Sequence, residues 1–243
     1  TSPTNDITPT WSWTAASDTE GIDHYVFYWD SVSGGETYSS GSLTSSTLSF
    51  THSLPLASGT WYAKVRAFDP SGNSTDSAVG SVVIDADAPV GNIEINNGAT
   101  YTNNNSVILN FSGVSPDVAL MKLGNGESGD YQNPIAYENP HAYTLPNSGD
   151  GTYTVRVRFI DAVGNKSVGV ISDSIILDKT SPIDPLDVHS TSHTSAPSTN
   201  KIIDMAWTTA GSAPGATDGG SGIDGYSYSF TQGANDIPDA TKD

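Results

Sequence analysis

The chain repeats itself, and the length of the repeat limits what it can fold into. Gly59-Thr60-Trp61-Tyr62 leads into Asp69-Pro70-Ser71-Gly72-Asn73. Shifted by 92 residues, Gly151-Thr152-Tyr153 leads into Asp161-Ala162-Val163-Gly164-Asn165. Each copy then runs through an apolar stretch to Asp and Pro: Val82-Val83-Ile84-Asp85-Ala86-Asp87-Ala88-Pro89, and Ile175-Ile176-Leu177-Asp178-Lys179-Thr180-Ser181-Pro182. A third echo joins the two ends. Trp13-Thr14 matches Trp207-Thr208, and Gly21-Ile22-Asp23-His24-Tyr25 matches Gly222-Ile223-Asp224-Gly225-Tyr226, with seven extra residues between the two matches. A period of this length suits one seven-stranded sandwich per copy. The units span 1–87, 88–181 and 182–243. The first is short ahead of its Trp-containing strand and the third stops early, so the chain reads as a segment of a longer array. An incomplete third unit leaves a sheet edge open and is expected to be the loosest part.

The elements inside each copy are strands. Asp23-His24-Tyr25-Val26-Phe27-Tyr28-Trp29 puts Tyr25, Phe27 and Trp29 on one face. Tyr62-Ala63-Lys64-Val65-Arg66-Ala67 and Tyr153-Thr154-Val155-Arg156-Val157-Arg158-Phe159 alternate apolar groups with charges. A period of two marks a half-buried antiparallel strand. Clusters of Gly, Pro, Asn, Asp and Ser punctuate these runs. Ser115-Pro116-Asp117-Val118-Ala119-Leu120-Met121-Lys122-Leu123-Gly124 is ambiguous. It offers a helix N-cap, a Pro at the first helical position and a Gly stop, but a strand is preferred because its surroundings pair as sheet.

Composition narrows the function. Lys plus Arg is 9 against 27 Asp plus Glu, a formal charge of −18. A nucleic acid needs cations to displace its counterions, so nucleic acid is excluded as a partner, and anionic lipid with it. No apolar run approaches the length of a membrane span, so no membrane insertion is expected. The absence of cysteine removes disulfides, thiol chemistry and Cys-ligated zinc. Low charge density and many Gly and Ser permit disorder; 22 aromatic residues in alternating runs oppose it.

No catalytic constellation stands out. His189 and His193 are four apart without a helix between them, and no third zinc ligand is near. His24, His52 and His141 are isolated. There is no Gly-x-Ser-x-Gly elbow. Gly124-Asn125-Gly126-Glu127-Ser128-Gly129 matches a dinucleotide fingerprint, but Pro134 and Pro140 follow where a helix should. Paired carboxylates for glycoside cleavage need a cleft, and the acids here lie in turns. No enzyme activity and no required cofactor are expected.

These motifs resemble tandem bacterial immunoglobulin-like and fibronectin type III-like domains of secreted or cell-surface proteins. Thr8-Pro9-Thr10-Trp11-Ser12-Trp13 and the Gly-Ile-Asp-x-Tyr strands give units one and three a fibronectin-like look. Asn97-Gly98-Ala99-Thr100-Tyr101-Thr102-Asn103, Ser148-Gly149-Asp150-Gly151-Thr152-Tyr153 and the Asp-Ala-x-Gly-Asn turn make unit two similar to a bacterial Ig-like repeat. The resemblance implies an all-β chain of tandem sandwiches, the last truncated, in an extracellular bacterial setting. It implies a spacer, an adhesive stalk or a module appended to a secreted hydrolase. Its partners would be neighbouring domains of the same chain and a surface glycan or protein. Tyr62 and Tyr153 suit a corner tyrosine bonding back to the backbone; Trp13 and Trp207 suit the inter-sheet core. The Asp-rich linkers are similar to those of cadherin-type arrays, which implies Ca²⁺ at the joints. Asp85 and Asp87 would meet Asp161 and Asn165; Asp178 would meet Asp218 and Asp224. A carbohydrate would stack on Tyr28, Trp29 and Trp61.

Overall fold

The computed structural model describes residues 2–125, 131–146, 149–184, 189–191, 205–207 and 216–227. Every regular element among them is a strand. The first seven are β1 (Thr10–Ser12), β2 (His24–Asp30), β3 (Tyr38–Thr44), β4 (Ser49–Thr51), β5 (Gly59–Phe68), β6 (Ser74–Asp76) and β7 (Gly80–Ile84). β1 and β4 make a narrow antiparallel sheet. It packs on a second sheet ordered β3-β2-β5, in which β6 and β7 pair with successive parts of β5.

The next eight are β8 (Asn92–Ile95), β9 (Tyr101–Thr102), β10 (Ser106–Ser112), β11 (Val118–Asn125), β12 (Ile135–Ala136), β13 (His141–Thr144), β14 (Gly151–Asp161) and β15 (Ile171–Leu177). They form a three-stranded sheet, β13-β10-β8, facing a five-stranded sheet, β12-β11-β14-β15-β9. Both sandwiches use one closing device. A segment near the start pairs in parallel with the last strand: Thr4 with Ile84, and Tyr101 with Ile176. Two short strands, β16 (His189–Ser190) and β17 (Met205–Ala206), pair antiparallel in the third unit. Most of that unit, including its expected open edge, lies outside the described residues.

The ambiguous segment resolves as strand. Val118–Asn125 is β11, and Met121 and Leu123 point into the core two residues apart, at 0% and 3% exposure. Only Val118 N–H bonding back to Ser115 O survives of the helical start. Burial of alternate side chains against the opposite sheet outweighs a cap worth about 1 kcal/mol.

The two cores are built differently. Unit two buries fourteen residues, mostly Ile, Leu and Val, around Phe111 and Phe159. Unit one buries five, among them Tyr25 and Phe27, with Trp11, Trp13, Trp29 and Phe50 packed at the margin. Large rings on β2 lie beside small residues on β5: Tyr25 opposite Ala67 and Trp29 opposite Ala63. This size alternation lets aromatic rings fill a thin sandwich at ordinary density. Trp13 joins that core, stacked on Phe27 with centroids 6.1 Å apart. Trp207 meets Tyr226 at 5.9 Å.

One corner differs from expectation. Tyr153 Oη donates to Gly149 O at 2.7 Å. In unit one the equivalent position is Trp61, not Tyr62, and the Trp61 indole N–H donates to Ala57 O at 2.9 Å. Both bonds reach back four residues and tie the start of the long strand to the preceding loop. Counting from the shared Gly-Thr pair, Trp61 and Tyr153 are the matched residues.

Candidate functional site

The first joint is built on the hairpin turn after β14. Asp161 N–H bonds Asn165 O, and Gly164 takes φ 100°, a left-handed conformation that glycine adopts without strain. Asp161 is 3% exposed. Its Oδ1 accepts N–H groups of Val163, Gly164 and Asn165 at 3.0, 2.7 and 2.9 Å. Its Oδ2 accepts Asn165 Nδ2–H at 2.8 Å. The same turn after β5 uses Asp69 and Asn73, and the Asn73 amide bond holds the Asp69 carboxyl below its usual range. The Asp and Asn of this turn are thus a mutual lock.

In unit two the lock also holds the linker. Asn165 Nδ2–H donates to the backbone carbonyl of Asp85 at 2.8 Å. Asn165 therefore meets Asp85 as a donor, not as an oxygen ligand. The carboxylates of Asp85, Asp117 and Asp161 lie with oxygens within 4.8 Å of one another. Asp87 is outside this group; its N–H only approaches Asp85 Oδ1, at 3.3 Å. Asp117 joins the group from outside the linker and turn motifs that point to Asp85, Asp87, Asp161 and Asn165. A usable signal was present: one Asp stands immediately before the central strand in units one and two, Asp23 before β2 and Asp117 before β11, and Asp224 echoes Asp23.

The second joint gathers Asp178, Asp218 and Asp224 around one cleft of about 420 Å³. Asp178 is 7% exposed and accepts N–H groups of Thr180 and Ser221. Bonds from Ser221 lead the effects that hold its carboxyl below the usual range. Gly220 approaches so closely that a Cβ there would lie 2.3 Å from the carboxylate. Asp218 Oδ1 accepts Gly220 N–H. The following linker is held by Asp150, which accepts Lys179 N–H at 2.7 Å and the Thr180 hydroxyl.

The three aromatic candidates separate. Tyr28 is on the outer face of its sheet, beneath the Arg66 guanidinium at 5.1 Å and the Lys64 ammonium at 6.0 Å. Those cations are paired with Glu36 and Asp76, and the Arg66 bonds push Asp76 down to about 2. Trp29 and Trp61 point the other way, into a cleft of about 450 Å³ at one end of the unit-one core. Trp29 stacks on Tyr38 at 5.7 Å and on Phe50 at 5.4 Å, so neighbours already occupy it. Tyr38, 48% exposed, is the open ring at the rim.

His52 lies in this cleft, 5% exposed, edge-on to Trp29 at 4.9 Å, with Nε2 lacking a hydrogen-bond partner. Burial lowers its pKa below 6.5. The unfolded chain then binds a proton that the folded chain refuses. Stability is complete above about pH 6.5 and declines as pH falls below it. Trp fluorescence melts at about pH 7 and 5.5 should show this loss, and His52→Phe should reduce it.

Among the described residues, the remaining motifs assemble no centre. His189 is in β16, and His193 lies outside the described residues. Gly124 and Asn125 end β11; residues 126–130 lie outside the described residues, and Tyr131 returns as a bridge to Gly124 instead of opening a helix.

No family model matches the chain, and no curated protein matches it. Solved structures do. The fibronectin(III)-like modules of CbhA from Clostridium thermocellum align with 15% identity and a TM-score of 0.36, covering 72% of this chain and 86% of that one. The FN1-FN3 domains of chicken CNTN1 align with 14% identity and a TM-score of 0.35, covering 72% of this chain and 61% of theirs. The all-β sandwich architecture of the present chain stands on its own paired sheets.

Proposed function

We propose that this chain is a non-catalytic spacer or adhesive stalk segment of a larger extracellular bacterial protein. The observation that carries the proposal is the docked linker. Asn165 ties the Asp85 carbonyl to the turn of the next unit, and Asp178 is tied in the same sense to Ser221. Linkers held at both joints convert a string of domains into a stiffened rod, which is what a spacer needs. Ca²⁺ fits the first joint as an additional clamp. Three carboxylates, one oxygen each, supply at most half of its six to eight oxygens, and water would supply the others. That places the affinity in the weak extracellular range, about 10⁻⁴ to 10⁻³ M.

The chain lacks cysteine, so two introduced thiols would be unique labelling sites. Labels at Ser46 and Val170 should give one narrow distance distribution, and Asn165→Ala should widen it. About 10 mM Ca²⁺ should add roughly 1.5 to 3 kcal/mol of stability, and Asp117→Asn should abolish that gain. A wild-type distribution as broad as that of the Asn165→Ala chain would sink the spacer reading. A second reading, an accessory module of a secreted hydrolase, is favoured by the aromatic cleft of unit one. Its test is loss of neutral oligosaccharide binding in Trp29→Ala.

A further inference from the structure

The 92-residue shift aligns Lys64 with Arg156 and Arg66 with Arg158. All four side chains stand on the outer face of the long strand, since the residues between them are buried. In unit one the pair is neutralised: Glu36 and Asp76 bridge Lys64 and Arg66. In unit two the position matching Asp76 is Val168, 77% exposed. No carboxylate of a described residue pairs with Arg156, Arg158 or Lys122, and Lys122 lies directly opposite Arg158 on β11. Arg156 Nε and Arg158 Nε are buried N–H donors without an acceptor. Among the described residues, unit two has thus kept the cations of the ion cluster without the anions that pair them in unit one. In a chain of −18, three clustered cations with no carboxylate partner among the described residues are a local reversal of sign that their mutual repulsion disfavours.

We propose that this face binds an acidic polysaccharide, whose carboxylates take the places held by Glu36 and Asp76 in unit one. Arg156 and Arg158 are about 7 Å apart along one strand, and each guanidinium presents a planar fork matched to a carboxylate. The surroundings suit a sugar. Thr154 and Ser174 share a 2.8 Å hydroxyl contact beside Arg156, and the Tyr131 ring lies under Arg158 at 5.0 Å. A peptide would seek the backbone groups of a sheet edge, whereas those of β14 here are engaged by β11 and β15 on its two sides. A second copy of the chain brings another −18 and is repelled. The charge of a glycan is spaced along its sugars, so it meets three cations without the dense field of a nucleic acid. This inference does not depend on the spacer reading, because it concerns a different face and a different readout.

The test is calorimetric titration of the whole chain with oligogalacturonate, with a neutral cello-oligosaccharide and polyglutamate as comparison probes. Oligogalacturonate should bind, and binding should weaken as salt rises from about 20 to 200 mM. Arg156→Gln and Arg158→Gln should each reduce affinity about tenfold, equivalent to about 1.4 kcal/mol. Lys64→Gln, in the neutralised cluster, should leave it unchanged. Melting curves of the two Arg variants establish that they are folded. Absence of oligogalacturonate binding overturns the proposal, as does equal binding by the folded Arg variants. Polyglutamate binding as tight as oligogalacturonate assigns the face to acidic peptides and overturns the glycan. Wild-type dimerisation that the Arg variants lose assigns it to a second copy, with the same consequence.

Discussion

Asp161→Ala should lower the stability of the second sandwich by about 3 to 4 kcal/mol, because hydrogen bonds to a charged group are worth about 1.5 to 3 kcal/mol each and four are lost together. The four are not additive: the turn is at the surface and water reaches some of the freed N–H groups. Asp161→Asn should lose about half as much. Its carbonyl still accepts from Val163, Gly164 and Asn165, but its NH₂ then faces the Asn165 NH₂, donor against donor. Calorimetry separates these outcomes. A loss below about 1 kcal/mol for Asp161→Ala would mean that the turn stands without its lock. The same substitution frees Asn165 and should loosen the joint through Asp85.

Phe159→Ala should cost about 3 to 5 kcal/mol, the range for deleting a fully buried ring. Phe159 is 0% exposed and meets Phe111 and Tyr137 edge-on at 5.6 and 6.0 Å. The backbone of Gly91 comes so near that a Cβ would lie 2.6 Å from the ring, so the ring seats the entering chain as well as the two sheets. At about 4 to 8 °C per kcal/mol for a domain of this size, the melting temperature of unit two should fall by at least about 12 °C. The readouts separate naturally. Trp11, Trp13, Trp29 and Trp61 are in unit one and Trp207 is in unit three, so unit two contains no Trp. The calorimetric transition of unit two should fall while the Trp fluorescence transition of unit one holds. A concerted fall of both would show that the sandwiches unfold as one body.

The strands were legible because burial leaves a period of two: Tyr25 and Phe27, and Val155 and Val157, read directly, whereas Met121 and Leu123 sit in a segment that also carries helix-start signals. The repeat made the shared turn legible too, since Asp-x-x-Gly-Asn names both its lock and its left-handed glycine. Side-chain partners were less accessible. Adjacent Tyr28 and Trp29 are similar in composition yet face opposite sides of one sheet, and only the register tells which side is core. The corner donor is Trp61 in unit one and Tyr153 in unit two, so residue type alone, which points to Tyr62, does not locate it. Asp117 comes to Asp161 through the pairing of β11 with β14, and His52 meets Trp29 across the sandwich; local spacing encodes neither.

The closing device of each sandwich bears on force. Thr4 N–H bonds Val83 O and Asp85 N–H bonds Thr4 O; Ile176 and Asp178 N–H bond Thr100 O and Thr102 O. The entering segment and the leaving strand run side by side in the same direction. Tension applied through the two ends of a unit drags these neighbours past each other lengthwise. Their hydrogen bonds are then loaded in shear and must break together, instead of opening one after another as at a peeled hairpin. A pull along the chain thus meets its resistance where the Thr4 segment runs beside β7 and β9 runs beside β15.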